Sequence, residues 1–348
     1  MDVHIFKEIY QVSILGAKDF KGMYAIIPTP AKPDAGQFLA TDTVDLRETE
    51  RLINALLRDG ATGLIVLGTT GECATLSDPD YRAFVACVIE TVRRRVPTFV
   101  GTSSMSAHEV ARRLKFISDL GADGTLLGLP MWQPVTTRMA VDFYASVSAA
   151  FPALSLMIYA NARAFRYTFP PEFWAQIVKA APTATSAKHS RVSGLRELQQ
   201  ATEGKLNFIP NEMAVHQFKA ISPEATTACW ATASGMNPLP AVALMQALEQ
   251  GNQVAIDTLV AAIAWATAPI EPMVSNPELF AQYNIQMEKT RINAAGYSQC
   301  GPVRPPYGDF PEEYAAPARE CGKRWAQLCQ AYAGNFNFNN RPWLIQSQ

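Results

Sequence analysis

Short apolar runs and longer amphipathic stretches alternate along the chain from residue 21 to about 250. The apolar runs fall at 24–27, 63–67, 98–101, 124–129, 154–159, 183–188, 206–209 and 225–230, each of strand length. Between them the spacing turns helical. Over residues 44–59, Leu46, Leu52, Ile53, Leu56 and Leu57 recur at helical spacing, and Gly60 supplies a stop. A second helix is expected over 79–95, with Ser77 and Asp78 as a cap and Pro79 in the first turn. Eight strand-helix alternations at this length predict an α/β fold, a (β/α)8 TIM barrel. An open doubly wound sheet is the main rival, and it is disfavoured because no GxGxxG opens the first unit.

Beyond residue 250 the pattern is mostly helical, at 253–267, 285–295 and 312–332, with the turn-rich CGPVRPPYGDFP at 300–311 between the last two. The predicted organisation is therefore an N-terminal arm (1–20), a barrel (21–250) and a C-terminal helical segment (251–348). Composition agrees, since 348 residues with 48% hydrophobic and 18% charged side chains can bury a large core. Thirty basic against 31 acidic residues, with RRR at 93–95 as the densest cluster, favour neither nucleic acid nor an anionic membrane as partner. The six cysteines are scattered without CxxC spacing and read as reduced thiols, so no metal site is expected. The first twenty residues lack a signal-peptide core, and no apolar run was expected to approach the ~20 residues that span a bilayer. A cytoplasmic location is the expectation.

Active sites of such barrels lie at the C-terminal ends of the strands. Strand 2 ends in GTTGE, Gly68 to Glu72, where two threonine hydroxyls between glycines suit a carboxylate or phosphate. Strand 5 ends in IYAN, which sets the Tyr159 phenol near the Asn161 amide, a pair able to move a proton and orient a hydroxyl or water. Strand 6 ends in Lys188 behind the small residues Ala184, Ser186 and Ala187, and burial there would lower the amine pKa and make it a nucleophile toward a ketone. Alone, each motif has a plain structural reading: a glycine-rich turn, a packing tyrosine, a solvated lysine. Together at three strand ends they favour catalysis.

GTTGE, the strand-5 tyrosine and the strand-6 lysine resemble the pyruvate-dependent class I aldolases of the dihydrodipicolinate synthase and N-acetylneuraminate lyase superfamily, over nearly the whole chain. The resemblance implies a (β/α)8 barrel with C-terminal helices, assembled as a homotetramer. It implies that Thr69 and Thr70 hold a pyruvyl carboxylate, Tyr159 relays protons and Lys188 forms a Schiff base, with no other cofactor. Departures select a subgroup. Met131-Trp132-Gln133 stands where the synthases carry Tyr-Tyr-Asn, and Ala164 stands where they carry an arginine, with Arg163 adjacent. LLGLPMWQP, IYANARAF, FWAQI, ACWATASG, YNIQMEK and GPVRPPY instead resemble the hydratase-aldolases acting on trans-o-hydroxybenzylidenepyruvate or trans-2'-carboxybenzalpyruvate. That subgroup implies an aryl 2-oxo acid substrate, and Trp132 and Trp230 are the aromatic residues expected near its ring.

Asn161 and Asn284 match the subgroup's polar residues around the substrate, although Asn284 also reads as a helix cap. Arg304 reads as a structural ion pair and Glu72 as a hydrogen-bonded anchor for its loop. His189 follows Lys188 and should point the opposite way along the strand. His189 or Arg191 could meet an ortho-carboxylate on the ring. Two other activities fit the same motifs: a synthase or sugar-acid lyase using the same Schiff base, and a barrel without catalysis that binds a ligand.

Overall fold

The computed structural model describes residues 14–333. Residues 1–13 of the expected arm and 334–348 of the expected C-terminal segment lie outside them. Eight parallel strands alternate with helices: β1 (Gly22–Ile26), α1 (Leu46–Arg58), β2 (Gly63–Val66), α2 (Asp78–Val92), β3 (Thr98–Gly101), α3 (Ala107–Leu120), β4 (Gly124–Leu127) and α4 (Thr137–Ala150). The second half adds β5 (Ser155–Tyr159), a single turn α5 (Ala162–Phe165), α6 (Pro171–Ala180), β6 (Ala184–Lys188), α7 (Leu195–Ala201), β7 (Asn207–Ile209), α8 (Val215–Ile221), β8 (Ala228–Ala231) and α9 (Leu239–Gln250). Then follow α10 (Gln253–Thr267), α11 (Glu271–Val274), α12 (Pro277–Ala295) and α13 (Glu312–Ala333). All eight expected strands are present, so the molecule is a TIM barrel with helices after it.

Side chains on both faces of most strands are buried, as expected for a parallel sheet covered by helices and filled at its centre. The strands pair in sequence from β1 to β7, and β8 pairs with β1. The last gap closes through a parallel bridge between Asn211 and Trp230, just past the end of β7. There the Trp230 N–H donates to the Pro210 carbonyl at 2.8 Å and the Glu212 N–H donates to the Trp230 carbonyl at 3.0 Å.

Local signals behave as read. The Asp45 carboxylate accepts from the Glu48 N–H and starts α1, while Ser77 caps α2 ahead of Pro79. α2 stops at Val92, three residues short of expectation, because Arg93 and Arg94 adopt positive φ of 48° and 59°. α12 starts eight residues earlier than predicted, since Asn276 accepts from the Glu278 and Leu279 N–H groups and Pro277 fits the first turn.

The expectation that no apolar run approaches bilayer length is corrected at Gln253–Val274, which has the length and composition to cross a membrane. It is broken by a 3-10 turn at Ala268–Ile270 into α10 and α11, with Pro269 and Pro272 at the joints. Ile256, Leu259, Ile263 and Ala266 of α10 are buried, and the helix packs on α9 and α13. This is the behaviour of a packed helix in the C-terminal segment.

Candidate active site

β5 and β6 run side by side with one irregularity. Leu156 pairs with Ala184 but Met157 pairs with Ser186, so Thr185 is an extra residue in β6. After this bulge Tyr159 stands opposite Lys188. Paired residues of neighbouring strands project to the same face, and both side chains line a cavity of about 580 Å³ at the C-terminal mouth of the barrel. Thr69, Thr70, Asn161, Trp230 and Asn284 line it as well.

The Lys188 ammonium nitrogen lies 3.3 Å from the centre of the Trp230 ring and 4.8 Å from that of Tyr159. Two ring faces attract a cation but accept no hydrogen bond as strong as a carboxylate would. Burial lowers the Lys188 pKa, and the charges of Tyr159, Glu212 and Glu288 offset part of that. The Trp230 indole N–H donates to the Ile209 carbonyl at 3.0 Å, which fixes the ring over the amine.

The Tyr159 hydroxyl is 2.9 Å from the Thr69 hydroxyl and accepts from the Asn161 amide at 3.4 Å. Burial pushes its pKa up, but Lys188 and these hydrogen bonds outweigh it and the net direction is down. The phenol and the amine therefore titrate as a coupled pair, each favouring the charge of the other. Asn161 is held at its other end, where its side-chain oxygen caps α5 by accepting from the Ala164 N–H. It is both a cap and a polar wall.

Thr69 and Thr70 sit on a turn braced from below. Gly71 leaves no room for a side chain, since a Cβ there would lie 2.7 Å from the Leu67 nitrogen. Glu72 is buried, with φ of 54°, and its carboxylate is held by Lys289 at 2.8 Å, by the Arg304 guanidinium at 2.6 Å and by the Arg304 N–H at 2.9 Å. Arg304 is thus the structural ion pair expected, and Glu72 the anchor. Gly68 stays behind the turn and is absent from the cavity wall: a Cβ built on it would meet Leu126 at 3.5 Å and Tyr159 at 3.9 Å.

Trp132 does not reach the cavity. It lies in the loop after β4, is 72% exposed and offers only its carbonyl, which accepts from Arg166 at 2.8 Å. The apolar wall comes instead from Ile270, Val274, Phe280 and Met287 on and beside α11 and α12. Asn284 is inside α12, well past its Asn276 cap, and its side-chain oxygen is buried with no hydrogen-bond partner among the described residues. His189 points outward, with its ring edge-on to Phe208 at 5.4 Å and Trp174 at 6.3 Å, and its Nε2 3.1 Å from the Arg191 carbonyl. Burial holds its pKa down to about 4. Arg191 lines the cavity.

Residues 35–319 match the dihydrodipicolinate synthetase family. The chain belongs to that family. A trans-O-hydroxybenzylidenepyruvate hydratase-aldolase of Pseudomonas putida is 37% identical over 333 residues, covering 94% of this chain and 100% of that protein. A trans-2'-carboxybenzalpyruvate hydratase-aldolase of Nocardioides sp. (strain KP7) is 33% identical, covering 90% of this chain and 95% of that one. The solved structure described as PhdJ bound to substrate intermediate superposes with a TM-score of 0.88 at 33% identity, over 91% of this chain and 99% of the other.

Within this dihydrodipicolinate synthetase family chain, four charged residues of the site were not singled out from sequence. Glu288 and Arg291 of α12 line the cavity as a buried pair, joined at 2.8 Å. Lys289, between them in sequence, faces the other way to Glu72. The YNIQMEK motif contained two of these, but nothing in it separates a cavity-facing glutamate from a loop-bracing lysine before the helix is docked. Glu212 also lines the cavity, three residues past β7. Its position depends on the seam with β8, which a local pattern does not carry.

Proposed function

We propose that this protein is a lysine-dependent hydratase-aldolase that hydrates and cleaves an ortho-substituted trans-benzylidenepyruvate, releasing an aromatic aldehyde and pyruvate. The observation that carries the reading is the convergence of Lys188, Tyr159, Asn161, Thr69 and Thr70 on one cavity, in a chain whose relatives are hydratase-aldolases over nearly their full length. Lys188, as the free amine, attacks the ketone while the hydroxyls of Thr69 and Thr70 hold the adjacent carboxylate. Loss of water gives an iminium conjugated with the side-chain double bond. Water adds at the benzylic carbon, positioned by Asn161 and Tyr159, and a proton passes to the adjacent carbon, which turns the resulting enamine back into the iminium. Tyr159 then takes the proton of the new hydroxyl, the carbon-carbon bond breaks, and the iminium accepts the electron pair as an enamine. Protonation and hydrolysis release pyruvate and free Lys188. The iminium is the electron sink, so the scheme calls on no metal or organic cofactor.

The aryl substrate is favoured over a small polar aldehyde by the wall formed by Ile270, Val274, Phe280 and Met287, and by Ala164 where the synthases carry an arginine. A cavity of about 580 Å³ lies within the usual range for a ligand of this size. Relatives with hydroxy and with carboxy substrates both match, so both substituents are candidates. A homotetramer in the cytoplasm completes the proposal.

Borohydride reduction in the presence of pyruvate tests the chemistry. A reduced pyruvyl adduct on Lys188 is expected, read by peptide mass, and Lys188→Ala should form none and cleave no substrate. A folded wild-type protein that gives no adduct would overturn the reading and leave ligand binding without catalysis. Pyruvate release from aryl and sugar-acid substrates in parallel separates the hydratase-aldolase from a sugar-acid lyase.

A further inference from the structure

The cavity holds two acidic side chains among the described residues, Glu212 and Glu288. Glu288 is committed, because Arg291 grips both its oxygens at 2.8 to 3.0 Å while also donating to the Thr232 hydroxyl. Glu212 is different. It is 5% exposed, and no side chain of the described residues donates to its carboxyl. The seam hydrogen bonds set it beside Trp230, the ring that covers Lys188. Lys188 likewise has no hydrogen-bond acceptor for its ammonium among the described residues, only ring faces. One half-buried amine and one buried carboxyl, neither tied to another charge by a hydrogen bond, thus share the same chamber.

Burial raises the Glu212 pKa to about 7, Arg291 lowers it in part, and the negative charge of Glu212 in turn raises that of Lys188. The other groups facing this pair are few. Tyr159 faces it from β5, and Glu288 and Arg291 from α12, where Arg291 lowers the Glu212 pKa and Glu288 raises the pKa of both members of the pair. Cys229 of β8 is kept neutral by burial. Arg163 and Arg191 line the same cavity.

We propose that Glu212 is the proton acceptor and donor for Lys188 during Schiff-base formation, a step that rests on Lys188 being the nucleophile. The Glu212 carboxylate takes one proton from the Lys188 ammonium, leaving a neutral amine that attacks the ketone. A proton shift within the adduct gives a neutral carbinolamine. Glu212 then returns its proton to the carbinolamine hydroxyl, the C–O bond breaks, and water leaves as the nitrogen lone pair closes the iminium. Over the whole step an ammonium and a ketone become an iminium and one water, and Glu212 ends as it began. Tyr159 remains free for the later hydration and cleavage steps.

The test is the rate at which pyruvate forms the borohydride-trapped adduct, measured by rapid quench and intact mass between pH 5.5 and 9. For the wild-type protein the rate should fall as pH drops through about 7, where Glu212 becomes protonated and can no longer accept. Glu212→Gln should slow trapping by about 10- to 100-fold and remove that acid limb. Glu212→Asp should restore the limb at a reduced rate. An unchanged rate and limb in Glu212→Gln would overturn the proposal, as would equal loss in both variants with the wild-type pH profile retained. Infrared spectra give a readout independent of rate: a protonated-carboxyl band that fades as pH rises through about 7 should be present in the wild type and missing from Glu212→Gln, and its absence from the wild type would also overturn the proposal. Absence of any wild-type adduct is a separate failure, that of Lys188 as nucleophile.

Discussion

Lys188 is held between two aromatic faces, and its reactivity follows from what those faces withhold. A carboxylate bonded directly to the amine would keep it protonated; ring faces and burial favour the neutral form. Tyr159→Phe removes the phenol that touches Thr69 and Asn161, and cleavage should slow by about 100-fold or more while trapping with pyruvate persists, as steady-state and quench measurements on one preparation would read. Arg191 supplies a charge to the cavity wall. Arg191→Met should lower kcat/KM for the 2'-carboxy substrate by about tenfold and leave the 2'-hydroxy substrate nearly unchanged, the scale of one charge-assisted hydrogen bond. His189 acts on stability instead. Its pKa is depressed to about 4, so its neutral form contributes stability above pH 6.5 that is lost as pH falls toward 4. Wild type should lose up to about 3 kcal/mol more than His189→Phe over that window, measured by urea denaturation at each pH.

Elements explain why some of this was legible in sequence and some was not. A lysine after small residues, a tyrosine after an apolar run and threonines between glycines are local signals, and each stands at the end of its strand. The bulge at Thr185 is not a local signal, yet it decides the site. If Thr185 took a regular place in the ladder, Tyr159 would pair with Ala187, and that one-residue slip would send Lys188 to the opposite side of the strand. Inserting one alanine between Ala187 and Lys188 should therefore abolish pyruvate trapping while circular dichroism still shows the mixed helix-strand signal of a barrel. Trp132 misled for a related reason. A tryptophan in a strand-end loop looks like a wall for an aryl ring, but the loop turns outward and α12, distant in sequence, supplies the wall.

At the scale of the whole molecule, eight strands and their order follow from a repeated pattern, whereas the charged network depends on how the C-terminal helices dock on the barrel. Glu72 meets Lys289 and Arg304 only across that docking, and all three are buried. Glu72→Gln leaves two buried cations without their anion and should cost about 3–5 kcal/mol, seen as a lower urea midpoint. The pyruvate concentration needed for half-maximal borohydride trapping should also rise, because the threonine turn loses its brace. The proposed tetramer should sediment at four times the chain mass of 38.1 kDa. Lys289 lies 217 residues after Glu72 in the chain. At the usual pace of synthesis, about 5–20 residues per second, a growing chain carries Glu72 for roughly 10–40 s before its counter-charge is made. Lys188 is made before Lys289, so a chain cut short between those two residues has the reactive amine without a braced grip on its substrate. The grip on the substrate is thus completed only by residues made after the reactive amine.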